Sequence, residues 1–294
     1  MNSRLLLVDG HAYAYRAYYA IRNLRSPEGR ATNAIYGFVK MLGRMRELVS
    51  PTHLAVVWDG GLSEERLGLI PDYKAQRPEM PDELDEQLGE IQAYLKGAGV
   101  RSLQSSGVEA DDWIGGLTQE ASKQGFSVVI ASSDKDFFQL VSDGVGILNP
   151  NDKSNGIWSR DQVRGKTGVE PEQIVDWLSL VGDAVDNIPG VPGVGPKTAA
   201  SLLQKFGSID AIFVRLCEIE REQLRLMLAK SEPQVRMNQK MIRLDCGAAP
   251  GCELGDLVVG KPDLESLLQL ARKWGFQTMA REISEAMNEQ QVLL

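Results

Sequence analysis

Three short apolar runs, residues 4–8, 54–58 and 128–132, constrain this chain more than any other feature. Each is continuous rather than alternating, as strands covered on both faces are. A helical pattern lies between the first two: Ile35, Phe38, Val39, Leu42 and Met45 share one face of residues 33–48. Strands separated by helices predict an α/β fold with a central, mostly parallel sheet flanked by helices. Each run leads into an aspartate: Asp9, Asp59 and Asp134. Ligands of open α/β sheets bind at the C-terminal ends of the strands. The three acids are therefore expected to meet on one edge.

Further acids belong to this set. Glu109, Asp111 and Asp112 open a helix, and Asp136 follows Asp134. Two carboxylates ~4 Å apart repel by roughly 4 kcal/mol at a typical effective dielectric. Five together require cations among them or raised pKa values. Acids also favour the first turn of a helix, so capping would explain either cluster alone. The convergence of three strand ends favours a divalent-metal site. Asp183 and Asp186, three apart, lie on one face of a turn or helix. With only His11 and His53, and with Cys217, Cys246 and Cys252 lacking metal spacing, zinc is disfavoured. Oxygen ligands point to Mg²⁺ or Mn²⁺.

The three cysteines fit reduced thiols in a cytoplasmic protein. No signal peptide is visible, and no apolar run reaches the ~18 residues of a membrane span. The formal charge of −8 argues against a general nucleic-acid binder. Local basic patches can still face a phosphate backbone. Lys74 and Arg77, beside Tyr73, lie in a polar, proline-punctuated stretch, residues 61–88. Such cations stabilise charge developing on a phosphate, or else form a solvated surface. Arg16, two turns beyond Asp9, is placed to reach the same edge. Gly190, Gly193 and Gly195 run into a helix with Pro196, Lys197 and Thr198 at its start. Backbone N–H groups there can approach a phosphate. This reads as a helix-hairpin-helix DNA clamp, the plainer reading being a tight interhelical turn. Helices are expected over 171–181, 216–246 and 263–288, with 250–260 a loop. The expected domains are an α/β core, 1–165, and a helical region, 166–294.

These motifs together resemble the 5′-nuclease family, which includes the 5′→3′ exonuclease domain of bacterial DNA polymerase I. The resemblance covers residues 4–215 by motif. It implies a PIN-like core with a helix-hairpin-helix (H3TH) region. It implies a 5′→3′ exonuclease and 5′-flap endonuclease of flapped, nicked or gapped DNA. All nine acids, Asp9, Asp59, Glu109, Asp111, Asp112, Asp134, Asp136, Asp183 and Asp186, match family metal ligands, holding two Mg²⁺ or Mn²⁺. Arg16, Lys74 and Arg77 match its phosphate-steering cations, and Tyr73 its base-stacking aromatic. A K⁺ ion is implied on the backbone of the hairpin turn, at Val191 and Val194. With no polymerase region following, the resemblance implies a stand-alone, monomeric nuclease. Its place would be the nucleoid, with a DNA polymerase as functional partner.

The chain departs from the family pattern in the arch segment. Gly61, Ser63, Glu65 and Arg66 stand where two lysines and a Phe-Arg pair are usual, so Arg66 is the one expected DNA contact there. This weakens the expected hold on single-stranded DNA. Ser132-Ser133 replaces a Thr-Gly pair. Two other readings compete: a PIN-like RNA-cleaving nuclease, and a non-catalytic binder of DNA structures. The clamp segment argues against the first, and the intact acids against the second.

Overall fold

In the first strand, β1 (Arg4–Asp9), alternate side chains enter different cores. Leu5 and Leu7 face one, Leu6 and Val8 the other, and all four are fully buried. That two-sided burial is why the run reads as unbroken hydrophobicity. The computed structural model describes residues 3–152, 156–247 and 251–292. The other strands of the β1 sheet are β2 (His53–Val57), β3 (Arg101–Leu103), β4 (Ser127–Ala131), β5 (Val145–Leu148) and β6 (Ile157–Trp158). Their spatial order is β3-β2-β1-β4-β5-β6. Within this sheet only β6 runs antiparallel to its neighbour. Strand order reverses direction between β1 and β4, which opens a crevice at their C-terminal ends.

Helices α1 (Gly10–Ala20), α2 (Asn33–Val49), α3 (Glu64–Leu69), α4 (Asp82–Gly97) and α5 (Ala110–Lys123) belong to the α/β half. Then come α6 (Arg160–Thr167), α7 (Ile174–Val181), α8 (Pro196–Phe206), α9 (Ile209–Val214) and α10 (Glu222–Ile242). The chain closes with α11 (Leu264–Trp274) and α12 (Gln277–Val292). One core joins a sheet face to α5 and α7–α10. The other joins the opposite face to α1, α2 and α4.

The C-terminal helices differ from expectation. They pack not on the helical region but on the α/β half, where Leu267, Trp274 and Phe276 share a core with Leu84, Ile91 and Leu95 of α4. The stretch expected to be a loop carries them there. Val259 N–H donates to the Thr52 carbonyl at 3.1 Å and Gly260 N–H to that of Gly99 at 2.9 Å.

Between α7 and α8 the chain forms a small hairpin, β7 (Gly182–Asp183) with β8 (Ile188–Pro189), which carries Asp183 and Asp186. Its base is crowded: a Cβ on Gly190 would lie 2.1 Å from the Val181 carbonyl oxygen.

Candidate active site

Asp9 ends β1 and caps α1 at the crevice. Its Oδ1 accepts from Ala12 N–H at 3.0 Å and its Oδ2 from the Ser132 hydroxyl at 2.8 Å. The Ser132 hydroxyl in turn accepts from Asp134 N–H at 3.1 Å. One side chain thus ties the ends of β1 and β4 together. Burial pushes Asp9 up to about 6, with repulsion from Asp59 and Asp134 added, against the pull of its two hydrogen bonds. Asp59 behaves oppositely. Burial raises it, but the His11 ring, 3.3 Å from Oδ2, and the Ala110 N–H, 2.9 Å from Oδ1, hold it at about 2.

The motif at the start of α5 divides. Asp111 faces a cleft of about 1110 Å³ that also receives Asp9, Asp59, Asp134, Asp183 and Asp186. Burial and then the Asp134 charge lift Asp111 well above the carboxylate range, although Lys74 Nζ lies 3.9 Å away. Glu109 and Asp112 instead meet cations in the interior. Arg66 grips Asp112 with two bonds of 2.7 Å and lies 3.0 Å from Glu109. Asp112 also accepts Asp245 N–H at 2.8 Å. Glu109 pairs with Lys74, accepts Ser63 N–H at 3.1 Å and accepts the Tyr73 hydroxyl at 3.3 Å. Burial opposes its charge, but Lys74 and Arg66 more than offset this and leave it below the usual range. On a helix, successive residues point about 100° apart, so neighbours in sequence can serve different sides.

Asp134 and Asp136 are also raised, first by burial. Asp134 Oδ1 accepts Asp136 N–H at 2.9 Å. Asp136 Oδ1 is buried with no hydrogen-bond partner among the described residues. Mutual repulsion links Asp9, Asp59, Asp111 and Asp134 in one set and Asp134, Asp136, Asp183 and Asp186 in another, with Asp134 common to both. Two pairs relieve the second set: Arg77 to Asp186 at 2.7 Å and Lys135 to Asp183 at 3.0 Å.

Among the described residues no three acidic, histidine or cysteine side chains close around one point as a finished metal cage. The donor set nonetheless fits a hard cation. The donors are carboxylate oxygens, buried at Asp9 and Asp186 and half-buried at Asp59, Asp111, Asp134 and Asp183; they outnumber the cations of the cleft, and the neighbouring Asp136 carries an orphaned oxygen.

Several expected residues are placed elsewhere. Arg66, expected to touch DNA, is buried, and its Nε also donates to the Met241 carbonyl at 3.1 Å. Tyr73, expected to stack on a base, is buried, its ring beneath the Lys74 ammonium at 4.9 Å from the centroid. Arg16 does not line the acidic cleft. It bonds Asn151 at the cleft wall and borders a smaller cavity beside Tyr13, Met41 and Arg44. His11, against Asp59, and Lys135, against Asp183, line the cleft although the motifs gave them no part in it. Lys135 is legible as the middle residue of Asp134-Lys135-Asp136, but its partner, Asp183, lies far away in sequence.

The glycine-rich turn joins β8 to α8. Gly193 has φ +80°. Gly195 and Lys197 are exposed at the start of α8, and Thr198 is half-buried. Val191 N–H donates to the Leu180 carbonyl at 2.9 Å, and Val194 N–H to the Val191 carbonyl at 3.0 Å.

Residues 4–168 match the 5′-3′ exonuclease N-terminal resolvase-like domain, and residues 169–265 the 5′-3′ exonuclease C-terminal SAM fold. The chain belongs to the 5′-3′ exonuclease family. It is 38% identical over 286 residues to a 5′-3′ exonuclease of Aquifex aeolicus, covering 97% of this chain and 96% of that one. It is 32% identical over 280 residues to a 5′-3′ exonuclease of Buchnera aphidicola, covering 93% and 97%. DNA polymerase I of Bacillus subtilis is 35% identical over 286 residues, but the chain spans only 32% of that protein's length. The fold resembles T5 5′-exonuclease, with a TM-score of 0.69 at 22% identity, over 96% of this chain and 98% of that one. It also resembles the catalytic core of Rad2, with a TM-score of 0.65 at 18% identity, over 96% and 91%. The family and its named members make this chain a nuclease. No helix among the described residues is long and apolar enough to cross a membrane.

Proposed function

We propose that this chain hydrolyses DNA phosphodiesters at 5′ ends of flapped, nicked or gapped duplexes, using two divalent cations, Mg²⁺ or Mn²⁺. The observation that carries the reading is that Asp9, Asp59, Asp111, Asp134, Asp183 and Asp186 line one cleft, with Lys74 and Arg77 on its wall. Solved relatives of this fold include T5 5′-exonuclease bound to zinc and a Rad2 core in complex with DNA substrate.

Asp9, Asp59, Asp111 and Asp134 would hold one cation; Asp134, Asp136, Asp183 and Asp186 the other. Not all can touch metal, because Mg²⁺ keeps several waters. When bound, such ions polarise the phosphate and lower the pKa of an attacking water. Lys74 and Arg77 place positive charge where the phosphate gains negative charge. Glu109 and Asp112 orient Lys74 and anchor α3 rather than binding metal. Gly190, Gly193, Gly195, Lys197 and Thr198 would hold the duplex backbone at the α8 N-terminus. A K⁺ ion there would use the carbonyls of Val191 and Val194, the former keeping one lone pair beyond its turn hydrogen bond. The product would carry a 5′-phosphate and leave a 3′-hydroxyl. A DNA polymerase remains the proposed functional partner.

A 5′-labelled flap duplex incubated with Mg²⁺ or with EDTA tests this. Cleavage with Mg²⁺ alone is expected. Binding without cleavage would favour a DNA-structure binder, and preference for an RNA strand would favour the RNA nuclease.

A further inference from the structure

Lys74 and Asn187 share an unusual backbone. Their φ values are +56° and +59°, in the left-handed region that residues with a side chain rarely occupy. Asn tolerates it better than most, whereas a long side chain such as Lys74's does not gain from it. Such conformations persist only where surrounding contacts over-determine them.

Those contacts join the two residues. The turn bearing Lys74 and Arg77 has no regular structure of its own between α3 and α4. The hairpin bearing Asp183 and Asp186 comes over a hundred residues later in the chain. Lys74 N–H donates to the Asp186 carbonyl at 3.2 Å. The side-chain amide of Asn187 bonds the same turn on either side of Lys74. Its Nδ2 donates to the Asp72 carbonyl at 3.0 Å, and its Oδ1 accepts from Gln76 Nε2 at 3.3 Å. Arg77 closes the seam on Asp186 at 2.7 Å.

We infer that Asn187 is a positioning residue: its amide clasps the basic turn to the acidic hairpin and so sets where the Lys74 ammonium sits relative to the carboxylates. It touches no reacting atom. It acts through Lys74, whose left-handed backbone it brackets. This inference rests on the proposed nuclease reading of the same cleft.

The test uses the full chain on a 5′-flap duplex in Mg²⁺. Asn187→Gly keeps the backbone conformation and removes both side-chain bonds. Asn187→Asp keeps an acceptor for Gln76 but turns an oxygen toward the Asp72 carbonyl. Gln76→Ala removes one bond only. Asn187→Gly is expected to lower kcat about 30-fold with KM within about threefold, as a misplaced group far from binding contacts does. Asn187→Asp should fall with it, and Gln76→Ala by about threefold. The discriminating arm is Lys74→Met. In that background Asn187→Gly should cost less than about threefold, because its route of action is gone. Wild-type kcat for Asn187→Gly, or an undiminished loss in the Lys74→Met background, would overturn the inference. If Asn187→Gly does not fold, Gln76→Ala at wild-type kcat overturns it instead. If the wild-type chain itself does not cleave, the nuclease reading fails.

Discussion

Glu109 and Asp112 on one side, and Asp111 between them on the other, come from a single turn of one helix and live in opposite electrostatic worlds. The flanking pair is buried against Arg66 and Lys74, with hydrogen bonds to spare. Asp111 faces a cleft crowded with Asp9, Asp59 and Asp134 and is pushed well above its usual range. Charge alone does not mark a catalytic acid. What marks it is a carboxylate whose surroundings leave its charge uncompensated. The paired acids act as a staple that fixes α3 against α5 and the end of α10. Under the proposed reading the uncompensated ones would take the cations.

The largest effect should come from the uncompensated side. Asp111→Ala is expected to slow single-turnover cleavage by on the order of 10³ or more, about 4 kcal/mol of transition-state stabilisation. Its stability without metal should hold or rise, since a buried repulsive charge is removed. Near-normal cleavage by this variant would erase the distinction.

The paired side should respond in stability. Arg66→Met strands Asp112 and weakens the hold on Glu109, which should cost about 3–5 kcal/mol in urea unfolding. Adding Asp112→Leu should recover most of that loss, because no buried charge is then left without its partner. A loss well under about 1 kcal/mol, the range of surface pairs, would show that the staple is slack.

The pH dependence sets most of the cleft acids against Glu109 by sign; Asp59, held at about 2 by His11 and the Ala110 N–H, is the cleft acid that goes with Glu109. Asp9 is raised to about 6 in the folded chain, so the folded state binds more protons than the unfolded one between about 4 and 6. Metal-free protein should therefore lose stability as pH rises through that window, by ~3 kcal/mol from this group. Asp111, Asp134 and Asp136 push the same way. Glu109, lowered, contributes stability that is present above its unfolded pKa and lost as pH falls through its folded value. Mg²⁺ should stabilise the protein strongly at pH 8 and weakly at pH 5. Thermal melts at both pH values, with Mg²⁺ and with EDTA, check this. Equal Mg²⁺ shifts at both would contradict it.

Ser132→Ala should give the smallest effect. It removes one of two hydrogen bonds to Asp9, costs about 1 kcal/mol, and moves the acid limb of the pH–rate profile upward by less than about one unit. An unmoved acid limb would take Asp9 out of the active set.

The sheet was legible because β1, β2 and β4 are buried on both faces and read as unbroken apolar runs. The strands β3, β5 and β6 escaped, since two to four residues carry no period. That acids converge was legible from their places after strands. Which of them are neutralised was not. The Arg66–Asp112 pair joins residues 46 apart, and its geometry exists only once α3 has docked. Family pattern placed Arg66 and Tyr73 on the DNA; burial by α10 and Glu109 placed them inside. Likewise, the apolar stripes of α11 and α12 announced buried faces but not which surface would bury them.

The most direct measurement is anomalous diffraction from a crystal soaked in Mn²⁺. Manganese should lie beside Asp111 and Asp134, within reach of Asp9 or of Asp183 and Asp186, with the Arg66–Asp112 pair intact. Manganese bound to Asp112 or Glu109 with Arg66 displaced, or a cleft without manganese, would contradict the division of the acids.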